Sequence, residues 1–377
     1  MNAVPAYYFD HNATTPLSPE VFQAMAPLMT QVFGNASSIH QFGQEARGEL
    51  DRARRSVAGM LGAMAEEIVF TSGGTEADNM AIFGAGGHVV TTTAEHPAVL
   101  QAAAQLPSAT FVPVDGCGVV DPEAVRAAIR PDTKLISVMH VNNELGVIQA
   151  IREIARIARD AGVLFHSDGV QAVGKIPVDV KELGVDLYSI SAHKIYGPKG
   201  MGALFVRKGT DVRPLLYGGP HERKMRAGTE NVAGAAGFGR AAQWVVEDSA
   251  AEAARQAALR DRLEQGILAQ IAGAHINGAG APRVRNTSNI RFDGIDSEPL
   301  LIALDLKGFA VSSGSACSSG ATEPSHVLAA IGLTREQARS SVRFSLGRSN
   351  TQEQIDALIE AVVQVVSRLR KLAPAYV

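Results

Sequence analysis

The chain has 377 residues, 46% of them hydrophobic and 19% charged, with a formal net charge of -3. That balance suits a globular protein with one large and one smaller domain. It lacks the basic footprint of a nucleic-acid binder and any apolar run long enough to span a bilayer, so neither direct nucleic-acid contact nor membrane insertion is expected. The two cysteines, Cys117 and Cys317, make neither a disulfide framework nor a CxxC metal cluster. With no basic, apolar leader at the N-terminus, the expectation is a cytoplasmic protein.

In chain order, Tyr7 to Pro16 is a short apolar start and a polar turn, with Asn12, Thr14 and Thr15 as candidate caps for a helix from Pro19 to about Met29. An amphipathic Ala/Arg/Glu-rich helix covers Gln41–Leu61 and is closed by Gly62. Glu67 to Ile82 reads as strand, glycine turn (Gly73, Gly74) and helix, a place where backbone N–H groups and a helix dipole suit a phosphate. Taken alone it is equally a tight turn capped by Thr75. Strand His88–Thr93 exits into Glu95-His96-Pro97, and a histidine there can stack on a ring and move protons, or simply occupy a turn.

Further strands are expected at 111–114, Lys134–Met139 and Val163–Phe165, alternating with helices at 122–130 and 151–161. Cys117 lies in a turn and reads as incidental. Asn143 sits in a polar cluster at a strand exit, and Asp168 at the next one. A carboxylate at a buried strand end needs a cationic partner, and a protonated pyridine nitrogen would serve; the alternative is a helix cap. Gln171, three positions on, is placed to donate to a ring hydroxyl.

Val185–Ile190 is a buried strand that ends in Ser191-Ala-His193-Lys194 and a Gly-Pro turn. A lysine past a buried strand end is poorly hydrated. Its ammonium is disfavoured and its amine becomes nucleophilic, which is what imine formation with an aldehyde requires. Lys194 is therefore read as the Schiff-base lysine of pyridoxal phosphate. A strand at 201–206 and a glycine-rich basic loop, Tyr217–Asn231, follow, the loop serving a phosphate or a partner subunit. Residues 233–272 form a long Ala-rich helix that marks the domain boundary. Beyond it come strand Asn289–Phe292, helix Ser297–Leu306, strand Gly308–Val311, helix 325–331, strand Ser341–Leu346 and a closing helix from Thr351 to about Leu372. Between them, Cys317 stands among serines and glycines in Ser312–Gly320, a segment with little to bury. Arg343 is the best candidate for a clamp on a substrate carboxylate; Arg348 and Arg223 are weaker ones.

These stretches together resemble the NifS/IscS-like group of cysteine desulfurases, class-V aminotransferase relatives. The matching pieces include Asp10-x-Asn-Ala-Thr-Thr-Pro16, Phe70-Thr-Ser-Gly-Gly-Thr-Glu76, Asn142-Asn-Glu-x-Gly146, Asp168-x-x-Gln-Ala-x-Gly-Lys175, Ser191-x-His-Lys194, Ser313-Gly-Ser-Ala-Cys317 and Val342-Arg-Phe-Ser-Leu-Gly-Arg348, in one order over nearly the whole chain. His11 and Pro220 depart from the commonest pattern. The resemblance implies the α/β fold type I of pyridoxal-phosphate enzymes: a large domain with a mixed, mainly parallel sheet between helices, plus a smaller α+β C-terminal domain. It implies an N-terminal segment at 1–15 packing with the small domain, a large domain at 16–255, and a small domain at 256–377 carrying the cysteine loop at about 312–324.

It further implies that Gly74, Thr75, Ser191 and His193 hold the phosphate, joined by Thr229 from the other subunit of a homodimer. His96 would stack on the ring, Asp168 bind its nitrogen and Gln171 its oxygen. Asn12, Asn143 and Arg343 would bind the substrate, L-cysteine. Lys194 would move the Cα proton, His96 would serve the thiol, and Cys317 would take the sulfur as a persulfide. A sulfur-acceptor protein, an iron–sulfur scaffold or another carrier, would receive it, and the only metal contact expected is a transient one between Cys317 and an iron–sulfur cluster. Selenocysteine lysis and transamination are the alternative reactions on the same cofactor, and transamination would need no thiol. A docking protein that had kept the fold would tolerate loss of Lys194.

Overall fold

The computed structural model describes residues 6–314 and 324–372. The chain runs β1 (Tyr7–Tyr8), α1 (Pro19–Thr30), α2 (Gln41–Met60), β2 (Ile68–Thr71), α3 (Gly74–Ala85), β3 (His88–Thr92), α4 (Pro97–Ala104), β4 (Ala109–Val112), α5 (Pro122–Ala127), β5 (Thr133–Ser137), α6 (Ile151–Asp160) and β6 (Leu164–Asp168). It continues with α7 (Val180–Leu183), β7 (Leu187–Ser191), β8 (Gly202–Val206), α8 (Val232–Gln270), β9 (Ala274–Ile276), β10 (Thr287–Phe292), α9 (Ser297–Asp305), β11 (Phe309–Ala310), α10 (His326–Ala330), α11 (Arg335–Arg339), β12 (Ser341–Ser345) and α12 (Gln352–Leu372).

Seven strands form the main sheet in the order β2-β8-β7-β6-β5-β3-β4. Only β8 runs against its neighbours, pairing antiparallel with both β2 and β7. The other pairings are parallel, so the carboxyl ends of β2, β3, β5, β6 and β7 open on one side, where open α/β sheets take ligands. Both faces are apolar because alternate side chains point opposite ways and both sides are covered by helices. In β8, Ala203 and Phe205 join the core beneath α2, α6 and α8, while Leu204 and Val206 join the core beneath α3 and α4.

The helix α8 has 39 residues. Its first half packs Ala235, Phe238 and Val245 into the core of the main sheet; its second half packs Leu259, Leu263 and Ile267 into another, built by β10, β12, α9 and α12. There the sheet order is β12-β10-β9, all antiparallel. The N-terminal strand β1 pairs parallel with β11, and Asp10 bridges Ser345.

Several expectations shift. The cap of α1 is Ser18, whose hydroxyl accepts from Val21 N at 3.2 Å, because Pro19 places the helix start directly after it. Asn12, Thr14 and Thr15 turn elsewhere. The strand expected at 111–114 lies at Ala109–Val112, and the helix expected to reach 130 stops at Ala127. The short elements α7, α11 and β9 had no strong periodic signal. The closing helix starts on a capping box: Thr351 Oγ1 accepts from Gln354 N at 3.4 Å, and Gln354 Oε1 accepts from Thr351 N at 3.3 Å.

Candidate active site

The carboxyl ends of the strands surround a cavity of about 280 Å3. The loop after β2 and the start of α3 bring Gly74 and Thr75; the exit of β3 brings His96; β5 leads to Met139 and Asn143; β6 ends at Asp168, with Gln171 beyond; β7 ends at Ser191, with His193 and Lys194 in the 3-10 turn that follows. From elsewhere come Asn12 and Ala13, Gly314, and Arg343 of β12. Every expected site residue except Thr229 and Cys317 therefore meets here. Thr229 lines a separate cavity of about 210 Å3 with Arg226, Gly228 and Glu222. Cys317 lies outside the described residues, while Gly314, just before that segment, borders the main cavity. A larger open groove of about 770 Å3 between α8 and α12 is lined by residues such as Asp261, Arg262, Asp356 and Ile359; it carries no comparable chemistry.

Lys194 Nζ donates to Asn12 O at 2.6 Å and Ala13 O at 2.7 Å. Asp168 is 4% exposed, and its Oδ1 accepts from Val170 N at 2.9 Å. Burial pushes its pKa up to about 6, against the pull of the Val170 N–H and of Lys194. A buried carboxylate held this way is stabilised by any cation placed over it. Two further carboxyls sit nearby. Asp78, one turn into α3, is 1% exposed and its Oδ1 finds no hydrogen bond; burial, then the charge of Asp168, raise its pKa well above the carboxylate range. Glu95, 0% exposed, is pushed up to about 8 by burial.

His96 caps α4, its Nδ1 accepting from Ala98 N at 3.1 Å. That bond leaves the hydrogen on Nε2. Burial first, then Lys194 and His326, bring its pKa down to about 4, so the ring is neutral at pH 7. His193 Nδ1 meets Thr14 Oγ1 at 3.0 Å. Arg343, 2% exposed, is already engaged: it donates to Asp10 Oδ1 at 2.6 Å, Asn143 O at 3.0 Å and Gly314 O at 3.3 Å, while its Nε is buried without a partner. The guanidinium is thus held in place, but its clamp on an incoming carboxylate must compete with Asp10. Asp78 carries no local sequence signal for a site, and Asp10, though it heads the matching stretch to Pro16, carries none for its pairing with Arg343. Asp10 is paired with a residue 333 positions away, and Asp78 has the sequence context of an ordinary polar residue on a helix.

The residues present fit pyridoxal phosphate. Ser191 Oγ is buried without a hydrogen bond beside the start of α3. Gly74 has no side chain to intrude: a Cβ there would come within 2.7 Å of Val170 Cγ2. An amine, an unpaired buried carboxyl region and an unspent hydroxyl at a helix start are what an aldehyde, a pyridinium nitrogen and a phosphate would take up.

The family model for class-V aminotransferases matches residues 7–358. The cysteine desulfurase IscS of Dictyoglomus turgidum is 46% identical over 378 residues, covering 97% of this chain and 96% of that protein. Among solved structures, a NifS-like protein superposes with a TM-score of 0.90 at 36% identity, covering 97% of this chain and 100% of the other. SspA in complex with cysteine superposes at 0.80 with 34% identity, covering 90% and 98%.

Proposed function

This chain belongs to the class-V aminotransferase family, among its cysteine desulfurases, and on that premise we propose that the residues at its strand ends take sulfur from L-cysteine, leaving L-alanine and a persulfide on Cys317. The observation that carries the reading is one cavity shared by the Lys194 amine, the Asp168 carboxylate and the Arg343 guanidinium.

The cofactor is pyridoxal phosphate, which when bound supplies an aldehyde for the amine and a ring that accepts the electrons of a broken C–H bond. Gly74, Thr75, Ser191 and His193 would hold its phosphate, Asp168 its ring nitrogen and Gln171 its ring oxygen, with His96 beside the ring. Lys194 Nζ carries the substrate's Cα proton; Asn12 O and Ala13 O, 2.6 and 2.7 Å away, aim it. Arg343 and Asn143 orient the substrate carboxylate; Asn12, expected to join them, has both Nδ2 hydrogens on Asn143 O and Thr287 Oγ1 and so supports Asn143 instead. His96, neutral and with its hydrogen on Nε2, donates from that atom toward the substrate sulfur and can give up that proton there; its Nδ1 lone pair is taken by Ala98 N. The Cys317 thiolate forms an S–S bond to the substrate sulfur as the C–S bond breaks; the electron pair stays with carbon, which is protonated to give alanine.

The same proposal includes a homodimer and a cytoplasmic location. Phe22, Met29, Phe33, Ile39 and Phe42 form an exposed apolar set along α1 and the start of α2, which a second copy would cover, and Thr229, remote from its own chain's cavity, would then serve the partner's phosphate. Among the described residues no helix is long and apolar enough to cross a membrane. The persulfide passes to a sulfur-acceptor protein for iron–sulfur cluster assembly or thio-modification.

The test is to incubate the loaded protein with L-cysteine and measure alanine and sulfide for wild type, Lys194→Ala and Cys317→Ser. Wild type yields both products. Lys194→Ala loses roughly 10²–10⁴-fold or more in rate, the usual worth of a positioned proton carrier. Substantial alanine from Cys317→Ser would overturn the persulfide route.

A further inference from the structure

Lys175 is an amine at the site with no part in the chemistry above. It lies beyond the end of β6, four residues after Gln171. Part of the residue reaches the surface, yet its Nζ is enclosed. Burial, then the charges of Lys194 and Arg343, hold its pKa well below the usual lysine range. Its amine donates to Gln171 Oε1 and, at 2.7 Å, to Asn12 Oδ1.

Side-chain amides are nearly symmetric in shape but not in chemistry: one end only accepts and the other only donates. Gln171 Nε2 donates to the main-chain oxygen of Asn12 at 2.9 Å. Its Oε1 must therefore face the other way, and there it meets Lys175. A second hydrogen remains on Nε2, and Gln171 borders the cavity. Asn12 is sorted by the same amine. Its Oδ1 takes Lys175 and, at 3.2 Å, Asn286 Nδ2, so its Nδ2 donates to Asn143 O at 3.1 Å and Thr287 Oγ1 at 2.9 Å.

We propose that Lys175 is a positioning residue for the cofactor's ring oxygen: by taking up Gln171 Oε1 and Asn12 Oδ1 together, it makes Gln171 present only N–H to the cavity. Without it the Gln171 oxygen is buried with no donor, and the amide loosens or turns that oxygen toward an oxygen of the ring. The proposal rests on reading Gln171 as the ring-oxygen donor. It assigns Lys175 no proton transfer.

The test reads the bound cofactor's visible absorption against pH, with no substrate present. A donor to the ring oxygen favours the deprotonated chromophore, so losing it raises the midpoint. Gln171→Met is expected to raise the midpoint by about one pH unit. Lys175→Met should raise it by a similar amount, and Lys175→Met combined with Gln171→Met should move it no further than Gln171→Met alone, because the two act as one. Additive shifts would overturn the positioning role and leave only the charge of Lys175. An unmoved midpoint in Gln171→Met would instead remove the reading of Gln171 and the proposal with it. If Lys175→Met does not fold, Lys175→Gln decides: it is neutral but still donates, so a positioning role keeps the midpoint near wild type, and a purely electrostatic one moves it fully.

Discussion

His166 in the middle of the parallel strands and polar atoms around the cavity at their carboxyl ends are buried alike and treated in opposite ways. In mid-sheet, His166 on β6 has Ser137 Oγ at 2.8 Å from its Nδ1 and Ser189 Oγ at 2.9 Å from its Nε2. The ring is fully enclosed and fully bonded, and burial holds its pKa down to about 3, so it stays neutral. At the carboxyl ends, Asp78 Oδ1, Asn143 Oδ1, Ser191 Oγ and Arg343 Nε are buried without hydrogen bonds and all belong to residues lining one cavity. An unpaired buried polar atom costs about 1–3 kcal/mol. Thr91 Oγ1 and Ser167 Oγ within the strands are unbonded as well, but scattered; unspent capacity gathered around one cavity is how a fold holds groups ready for a ligand while its strands keep it standing.

The largest break in that comparison comes from emptying the interior. Phe165 is 0% exposed in the core under the main sheet, three residues before Asp168 on β6. Phe165→Ala should cost about 3–5 kcal/mol in unfolding free energy, the usual loss for a buried aromatic and its cavity, read by urea melts. Protein that remains folded should turn over L-cysteine at close to the wild-type rate. A variant of unchanged stability and lost activity would place function in the interior and undo the contrast.

Asp168 tests the other region. Its folded pKa of about 6 lies above the ordinary carboxylate value of 3.8. The folded protein thus binds more protons than the unfolded chain across that window. The carboxyl leaves the fold unpenalised below about pH 4 and penalises it progressively as the pH climbs to 6 and beyond. In cofactor-free protein, Asp168→Asn should therefore stabilise by up to about 3 kcal/mol at pH 7.5 and have little effect at pH 4. Loaded with cofactor, the same variant should lose activity, because the ring nitrogen loses its carboxylate. Destabilisation at pH 7.5 in the cofactor-free protein would mean that Asp168 is structurally paired.

The two regions were not equally legible in the amino-acid order. Apolar runs such as Leu187–Ile190 announce a strand, and the small polar residues after it announce an exit, so the residue order alone puts Lys194, Asp168 and His96 at strand ends. What could not be read was partnership across long separations. Nothing near Asp10 says that it holds Arg343, and nothing near Lys175 says that it turns inward to Gln171 and Asn12, since both depend on how the N-terminal segment threads between the two cores. Boundaries failed where a local cue was outweighed. Asn12 and the threonines are good caps in isolation, but Ser18-Pro19 is the better start, and the tertiary structure spends Thr15 on His193 O at 2.9 Å and Tyr196 N at 2.8 Å. The strand β9 is three residues long with the exposed His275 at its centre, too short for alternation to show.

The smallest expected effects give the sharpest contrast, because they compare one atom in each region. Ser137→Ala removes a hydroxyl bonded to His166 Nδ1 and leaves that nitrogen buried and alone; it should cost about 1–3 kcal/mol and leave turnover unchanged. Ser191→Ala removes a hydroxyl that has no hydrogen bond in the cofactor-free chain. It gives up no internal bond, so unfolding of the cofactor-free protein should shift by less than about 0.5 kcal/mol, within the range of an unengaged side chain. Its effect should appear only on loading, as a weaker hold on pyridoxal phosphate by roughly tenfold, the worth of one hydrogen bond to a charged group, read by equilibrium dialysis. Equal stability losses in the two variants would mean that Ser191 already has work within the fold, and the strand ends would then be ordinary interior rather than a site held open.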